Sequence, residues 1–485
     1  MSTDVVRTRT GVYHDSVSLM RISRAAGALP GVEVAVVAMA TELNLGIAAE
    51  LGFALPPAAP ADLLIALRGE ADALEAASAE LDGLLAALST PSAAGGTAER
   101  PPRTVRAAAR ERAATLALVS VPGPHAFAEA LDAVEAGLSV MIFSDNVPVE
   151  QEVLLKRRAA ERGVLVMGPD CGTAVIGGAG LGFANVLRPG PVGLVAASGT
   201  GAQQVTCLLD LAGVGVSHVL GVGGRDLSAE VGGLSTLRAL EALDADPATE
   251  LIVLISKPPA PEVARVVEKA LAKLGTPVVT ALLGPGQDDL TSVTEAALRT
   301  LGVLVPTWPS WPAPGTAGAA PGLSATGGER AGLPEAGGER AGRNLRGIYS
   351  GGTLCVEARL IAGTGEFTDF GDDAYTVGRA HPMIDPTLRL EALAEVPPGD
   401  VVLLDVVLGH GADPDPSARL APAIAEAVAR GVTAVVALVG SEGDPQGLAA
   451  QAGALNAAGA AVFTSNAGAA GYAARAAAGI AANAR

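Results

Sequence analysis

Apolar and polar positions alternate along the 485-residue chain in two registers. Short, nearly unbroken apolar runs such as TLALVSVP, SVMIFSD and VLVMGPD predict strands buried on both faces. Between them, HAFAEALDAVEAGL and VEQEVLLKRRAAERG carry apolar residues every third or fourth position, the spacing of amphipathic helices. Strands alternating with helices in this way predict an α/β protein of several parallel-sheet domains with right-handed crossovers, of the Rossmann or flavodoxin type. The same alternation restarts at VGLVAASGTGAQQV and runs through ELIVLISKP and PVVTALLG. It restarts again at NLRGIYSGGTLCVEARLIAG and continues through VVLLDVVLG, GVTAVVALVG and AAVFTSNAG, and an Ala-rich stretch predicts the last helix. Residues 1–90 form a smaller α/β region, with strands at DVVRTRT, VEVAVVAMA and ADLLIALRG and two helices, for which Asp15 and Thr41 are candidate caps.

Two stretches break the pattern. Residues 89–112 are rich in Pro, Gly and Ser and then basic, as in a linker or surface loop. Residues 305–343 contain the hexamer GGERAG twice and read as a flexible linker, with Trp308 and Trp311 as candidates to pin its start. The predicted organisation is an N-terminal α/β region (1–90), a Rossmann-type domain (113–188), a second α/β domain (189–304), the linker (305–343) and a third α/β domain (344–485).

Composition narrows the function. Hydrophobic residues make up 49% of the chain and charged residues 17%, enough apolar material for large cores. A net charge of -18 argues against a nucleic-acid partner, which requires basic stripes. Local anion sites built from backbone amides remain compatible with it. The three cysteines, Cys171, Cys207 and Cys355, show no CxxC spacing, which fits a reducing, cytoplasmic setting. No apolar run of about 18 residues predicts a membrane span, and the N-terminal residues lack the pattern of a secretory signal.

The candidate chemistry lies in the turns. In the second unit a strand ends in Ser198-Gly199-Thr200-Gly201 and a helix-like stretch begins. In the third, Ser350-Gly351-Gly352-Thr353 repeats the design, and Gly223-Gly224 follows another strand. The first amides of a helix lack intrahelical partners and carry the positive end of its dipole, so such turns attract phosphate. Glycine also serves such turns where space is short. No GxxxxGK[ST] or GxGxxG motif is present.

Taken in order, MGPDCGTAV, VGLVAASGTGAQQV and GVGGRDLSAEVGGLSTLRALEALDADPATELIVLISKP resemble the α subunit of succinyl-CoA ligase over about residues 115–300. With MATELN, SGGTLCVEA, YTVGRAHPMIDPTLR and LLDVVLGHGADPDP, the chain resembles the FdrA family over nearly its whole length. The resemblance implies that Ser198-Gly199-Thr200 matches the α-type helix terminus which holds phosphate in the ligases. It implies that Ser350-Gly351-Gly352-Thr353 matches the β-type partner. It also implies that the domain at 113–188 is CoA-binding-like and that those at 189–304 and 344–485 are ligase-like. Cys171 falls on a cysteine of the ligases, and Gly223 and Gly224 on one of their glycine turns.

The chain also departs from the ligase pattern. Its N-terminal region lacks the Gly-rich turn that holds CoA phosphates, which leaves CoA binding open. No histidine follows ELIVLISKP until His381, so the ligase phosphohistidine has no counterpart there. An obvious nucleotide-grasp segment is missing too. His410, at the end of VVLLDVVLGH, is a candidate base or phosphate ligand, or simply a loop histidine. Arg379 and Asp385 flank AHPMIDP, where the arginine would hold a carboxylate bidentately or the prolines would merely stiffen a turn. The acidic GDDAY is a weak metal candidate. Three functions fit. The FdrA resemblance implies carbamoyl or acyl transfer to phosphate, as in oxamate carbamoyltransfer, with phosphate or carbamoyl phosphate as substrate and further subunits as partners. The alternatives are an ADP-forming acyl-CoA synthetase and a non-catalytic regulatory subunit.

Overall fold

The computed structural model describes residues 2–12, 14, 16–89, 102–111, 113–314, 343–376 and 379–479. Asp15, the low-complexity core of the second linker and most of the first therefore lie outside the described residues. The chain divides into two compact units. One comprises residues 1–112, 120–122 and 377–380; the other holds the remainder.

The first unit contains β1 (Thr3–Arg9), α1 (Ser16–Gly27), β2 (Val32–Met39), α2 (Glu42–Glu50), β3 (Leu63–Gly69), α3 (Ala71–Ser89) and α4 (Val105–Glu111). Its strands form an antiparallel sheet in the order β1-β3-β2. The central β3 is apolar on both faces. Leu63, Ile65 and Leu67 pack with α1 and α3, and Leu64 and Ala66 with Ala48 of α2 and Phe53. Thr41 caps α2 by accepting the Asn44 amide (3.3 Å). Helix α4 occupies part of the stretch expected to be a linker or surface loop.

The second unit begins with β4 (Leu116–Val119), α5 (Gly123–Glu135), β5 (Ser139–Ile142), α6 (Val149–Arg162) and β6 (Val166–Met167), a small parallel sheet. The hairpin β7 (Thr173–Ile176) and β8 (Ala179–Gly182) leads into β9 (Pro189–Ala196), α7 (Gly199–Leu211), β10 (Val216–Gly221), α8 (Leu234–Asp244), β11 (Leu251–Ser256), α9 (Pro261–Leu271), β12 (Val278–Leu282) and α10 (Leu290–Thr300). These six strands run β12-β11-β9-β10-β7-β8, parallel except at the hairpin edge.

The last sheet starts with a two-residue edge strand, β13 (Ser310–Trp311), which pairs antiparallel with a later strand. The start of the expected linker is therefore bound to a domain, and the Trp308 indole donates to Glu295 (3.2 Å). There follow β14 (Leu345–Tyr349), α11 (Gly352–Ala362), β15 (Glu366–Asp369), α12 (Asp373–Thr376), α13 (Thr387–Ala394), β16 (Val401–Val407), α14 (Pro416–Ala429), β17 (Thr433–Val439), α15 (Leu448–Ala457), β18 (Ala461–Phe463) and α16 (Asn466–Ala477). The order is β13-β18-β17-β16-β14-β15. The α/β class with parallel sheets and a small N-terminal α/β region is thus as expected from the apolar pattern.

In each large sheet the first of the parallel strands, β9 or β14, lies between the next two in chain order, β10 and β11 or β15 and β16. This is the reversal of winding that opens a crevice at the strands' carboxyl ends. Helix α7 starts at that point of one sheet, following β9, and α11 at that point of the other, following β14.

Buried polar side chains tie the two sheets together. Gln204 donates to Thr464 O (3.0 Å) and accepts the Asn466 amide (2.9 Å). Asn185 bridges Leu408 O (3.0 Å) and Asp444 (2.7 Å). Glu357 on α11 accepts from the Leu290 amide (2.6 Å) and Asn466 Nδ2 (2.6 Å). Burial, with the Asp289 carboxylate nearby, pushes the Glu357 carboxyl up to about 8, against its two donors. Between the ordinary carboxyl range and about pH 8, the folded protein then holds a proton that the unfolded chain has released. Stability therefore falls as pH rises through that window. Glu357→Gln should flatten the fall and raise the melting temperature at pH 9 relative to wild type, as scanning calorimetry from pH 5 to 9 would register.

Candidate active site

The two helix N-termini meet. A Cβ placed on Gly351 would lie 2.6 Å from Thr200 Oγ1 and 2.8 Å from Thr200 Cβ, and one on Gly201 would lie 3.1 Å from Thr353 Cγ2. Neither position has room for a side chain, so glycine is required by close approach. Gly199 faces the Thr173 hydroxyl of β7, which would be 3.2 Å from an added Cβ. The positive ends of two helix dipoles converge on one place.

The two termini are built differently. In the first, Ser198 is the N-cap and its Oγ accepts the Gly201 amide (2.9 Å), while the Gly199 and Thr200 amides have no acceptor within the helix. In the second, Gly351 is the N-cap without a side-chain cap. Its anchor is Asp405, fully buried on β16. Asp405 accepts the Ser350 amide (2.7 Å), the Gly351 amide (2.9 Å) and the Ser350 hydroxyl (3.0 Å). Arg389 of α13 completes the anchor with an ion pair to Asp405 (3.0 Å). Burial pushes the Asp405 carboxyl up, against Arg389 and the two amides, and pushes the Arg389 guanidinium down. Each is the other's buried partner, and the pairing opposes both shifts. Ser350 and Gly351 therefore spend their amides on Asp405, and Gly352 and Thr353 present theirs to the crevice.

Three further side chains line this place. Lys257, directly after β11, has its Nζ 3.8 Å from where a Gly352 Cβ would be, and an Asp369 carboxylate oxygen crowds the same point. His381 Nε2 and Asp369 Oδ1 lie 2.9 and 3.2 Å from a Cβ placed on Gly371. His381 Nδ1 accepts the Met383 amide (3.3 Å), so the ring proton sits on Nε2. Burial, aided by the Arg389 charge, lowers the imidazole to about 4 and keeps it neutral. Lys257 directly follows β11, Asp369 ends β15 and Asp405 lies two residues before the end of β16, and these three were not singled out from the sequence. Each sits at or near the carboxyl edge of a parallel strand, a position rule that flags ligand sites.

Other expected site residues fall elsewhere. Cys171 is buried in the core with its thiol directed at Thr173 O (3.6 Å), and burial pushes it up to about 12. Gly223 and Gly224 open no helix: α8 begins at Leu234, and Asp226 takes the amides of Ser235 (3.1 Å) and Thr236 (2.8 Å). Gly223 is instead a close-approach residue, where a Cβ would lie 2.6 Å from Pro169 O. His410 is exposed and its backbone pairs both ways with Ala184. Asp385 is bound to Thr387 Oγ1 (2.7 Å) and Arg419 (2.7 Å), which outweigh the upward push of burial and hold its carboxyl below the usual range. Arg379 is exposed and belongs to the other unit.

Paired helix termini at the switch points of two flavodoxin-like sheets define a class, the CoA-ligase superfamily. Residues 188–282 match the CoA binding domain and residues 348–476 the CoA-ligase family; a CoA-binding domain is therefore present. Residues 1–102 match the AllF, heavy metal-associated domain. The chain is 38% identical to the uncharacterized protein YahF of Escherichia coli K12, over 93% of this chain and 94% of that protein. It is 31% identical to subunit alpha 2 of the ADP-forming succinate–CoA ligase of Archaeoglobus fulgidus, over 32% of this chain and 54% of that subunit. The solved apo dinucleotide-forming acetyl-coenzyme A synthetase 1 of Ca. Korarchaeum cryptofilum aligns with 81% of this chain and 89% of that one, at 18% identity and a TM-score of 0.33. The chain belongs to the FdrA family.

The donor set of the N-terminal domain does not fit a heavy-metal ion. Soft metals select thiolates, yet residues 1–102 contain no cysteine and one histidine, His14. Among the described residues no group of three or more His, Cys, Asp or Glu side chains could hold a metal, and no helix is long and apolar enough to cross a membrane.

Asp405→Ala removes the anchor and strands a buried guanidinium, so it should cost about 3–5 kcal/mol of stability. Urea unfolding measures this; a loss below about 1 kcal/mol would mean that Asp405 does not hold the turn.

Proposed function

We propose that the chain is the phosphate-holding subunit of a carbamoyl or acyl transferase, acting on phosphate or carbamoyl phosphate as in oxamate carbamoyltransfer. The observation that carries this reading is the abutment of the Gly199–Gly201 and Gly351–Thr353 termini. Free amides from two helices, with Lys257 beside them, suit a small dianion and charge developing on a tetrahedral intermediate. Positioning phosphate against a carbonyl supplies much of such a reaction without a covalent nucleophile. The loop after β11 carries Lys257 and no histidine, and neutral His381 presents a proton on Nε2. Both support direct transfer over a phosphohistidine route. Further subunits that bring the carbamoyl donor belong to the same proposal.

A second reading, an ADP-forming acyl-CoA synthetase, is favoured by the CoA-binding match at residues 188–282. Calorimetric titration with CoA separates the two. Binding near micromolar, about -8 kcal/mol, would favour the synthetase; no heat at millimolar CoA would favour transfer to phosphate alone.

Thr200→Val combined with Gly201→Ala should weaken phosphate binding by at least ~1 kcal/mol, the order of one hydrogen bond. The added methyl at residue 201 meets Ser198 Oγ at 2.7 Å and disturbs the cap. Unchanged phosphate affinity in calorimetry would remove this terminus from the site.

A further inference from the structure

Asp369 has no assigned role, and it occupies an unusual place. It ends β15, beside the strand that leads into α11. Its Oδ1 accepts the Gly371 amide (2.9 Å), and its other oxygen crowds Gly352, the first residue of α11. The carboxylate is thus an anion already seated at the helix end where phosphate would settle. Lys257 Nζ lies 3.8 Å from the same point at Gly352, and His381 Nε2 and Asp369 Oδ1 both border Gly371, 2.9 and 3.2 Å from where its Cβ would be.

We propose that Asp369 is the proton carrier of this site: it takes up a proton as a dianionic phosphate enters and passes that proton to the leaving nitrogen of a carbamoyl donor. The proposal rests on the anion-site reading above. A carboxylate and a dianion at one helix end repel each other, whereas a protonated carboxyl is neutral and donates a hydrogen bond to the incoming oxygen. The charged and titratable groups facing Asp369 come from several elements. Asp405 on β16 and Asp372 after β15 raise its carboxyl, and Lys257 lowers it. Arg389 is aligned with Asp405, while the Cys355 thiol and the His381 imidazole stay neutral. Burial is the largest influence and, against the Gly371 amide, pushes the carboxyl up to about 6.

The step balances without a further reactant. The donor's carbonyl–nitrogen bond breaks and a carbonyl–oxygen bond to hydrogenphosphate forms. The Asp369 carboxyl gives its proton to the departing nitrogen and is reprotonated by the proton of the attacking phosphate. Neutral His381 donates from Nε2 to the donor's carbonyl oxygen as charge develops there.

Sulfate, dianionic throughout, is the probe. Calorimetric titration of the full chain between pH 6 and 8 should show affinity falling on the order of 50-fold as the protonated fraction declines. Titrations at pH 8 in buffers of different ionisation enthalpy should show about one proton taken up per sulfate bound. Asp369→Asn keeps an acceptor for the Gly371 amide, so a purely structural role is preserved; it should bind sulfate with the same affinity at both pH values. A wild-type affinity independent of pH, no proton uptake, or an Asp369→Asn protein retaining the wild-type pH slope would each overturn the proposal. Absence of sulfate binding at every pH, in wild type and variant alike, would instead refute the anion-site reading on which it stands.

Discussion

The site depends on a steric constraint, the approach of two helix ends so close that neither tolerates a methyl group. Gly351 packs against the Thr200 side chain and Gly201 against Thr353. Helix dipoles aimed at each other repel. Buried polar contacts through Asn185, Gln204, Glu357 and Asn466 tie the sheets beneath together against that repulsion. An anion entering between the two helix ends would relieve that repulsion, so a phosphate bound there would also steady the assembly.

The anchoring of the two ends explains their asymmetry. Ser198 satisfies its own helix with a local cap. The other end has glycine at the N-cap and delegates its anchoring to Asp405, more than fifty residues along the chain, and to Arg389. That long-range carboxylate orients the Ser350–Gly351 turn and leaves the next amides facing the crevice. Local caps are legible in a sequence, while distant ones are not.

The same distinction governs what could be read from the chain beforehand. Apolar runs and helical spacing gave away the sheets, since a strand buried on both faces has to be apolar. The two small-residue turns were visible because strand, Ser-Gly and helix are contiguous. Gly223-Gly224 looked similar and proved different, because Asp226 folds back to cap a helix starting eight residues after it. Lys257, Asp369 and Asp405 were overlooked because they converge from three strands of two sheets, and periodicity does not encode which strands become neighbours. His410 drew attention as a histidine at the end of a strand, yet its backbone is engaged in a pairing with Ala184 and its side chain is exposed.

The most direct test of the composite site is a crystal structure of the full chain grown with selenate, read by anomalous difference density at the selenium edge. A single strong peak between the amides of Gly199 and Thr200 and those of Gly352 and Thr353, within reach of Lys257 Nζ, is the predicted result. Peaks confined to one terminus, or found only on surface arginines, would contradict the claim that two helices share one anion.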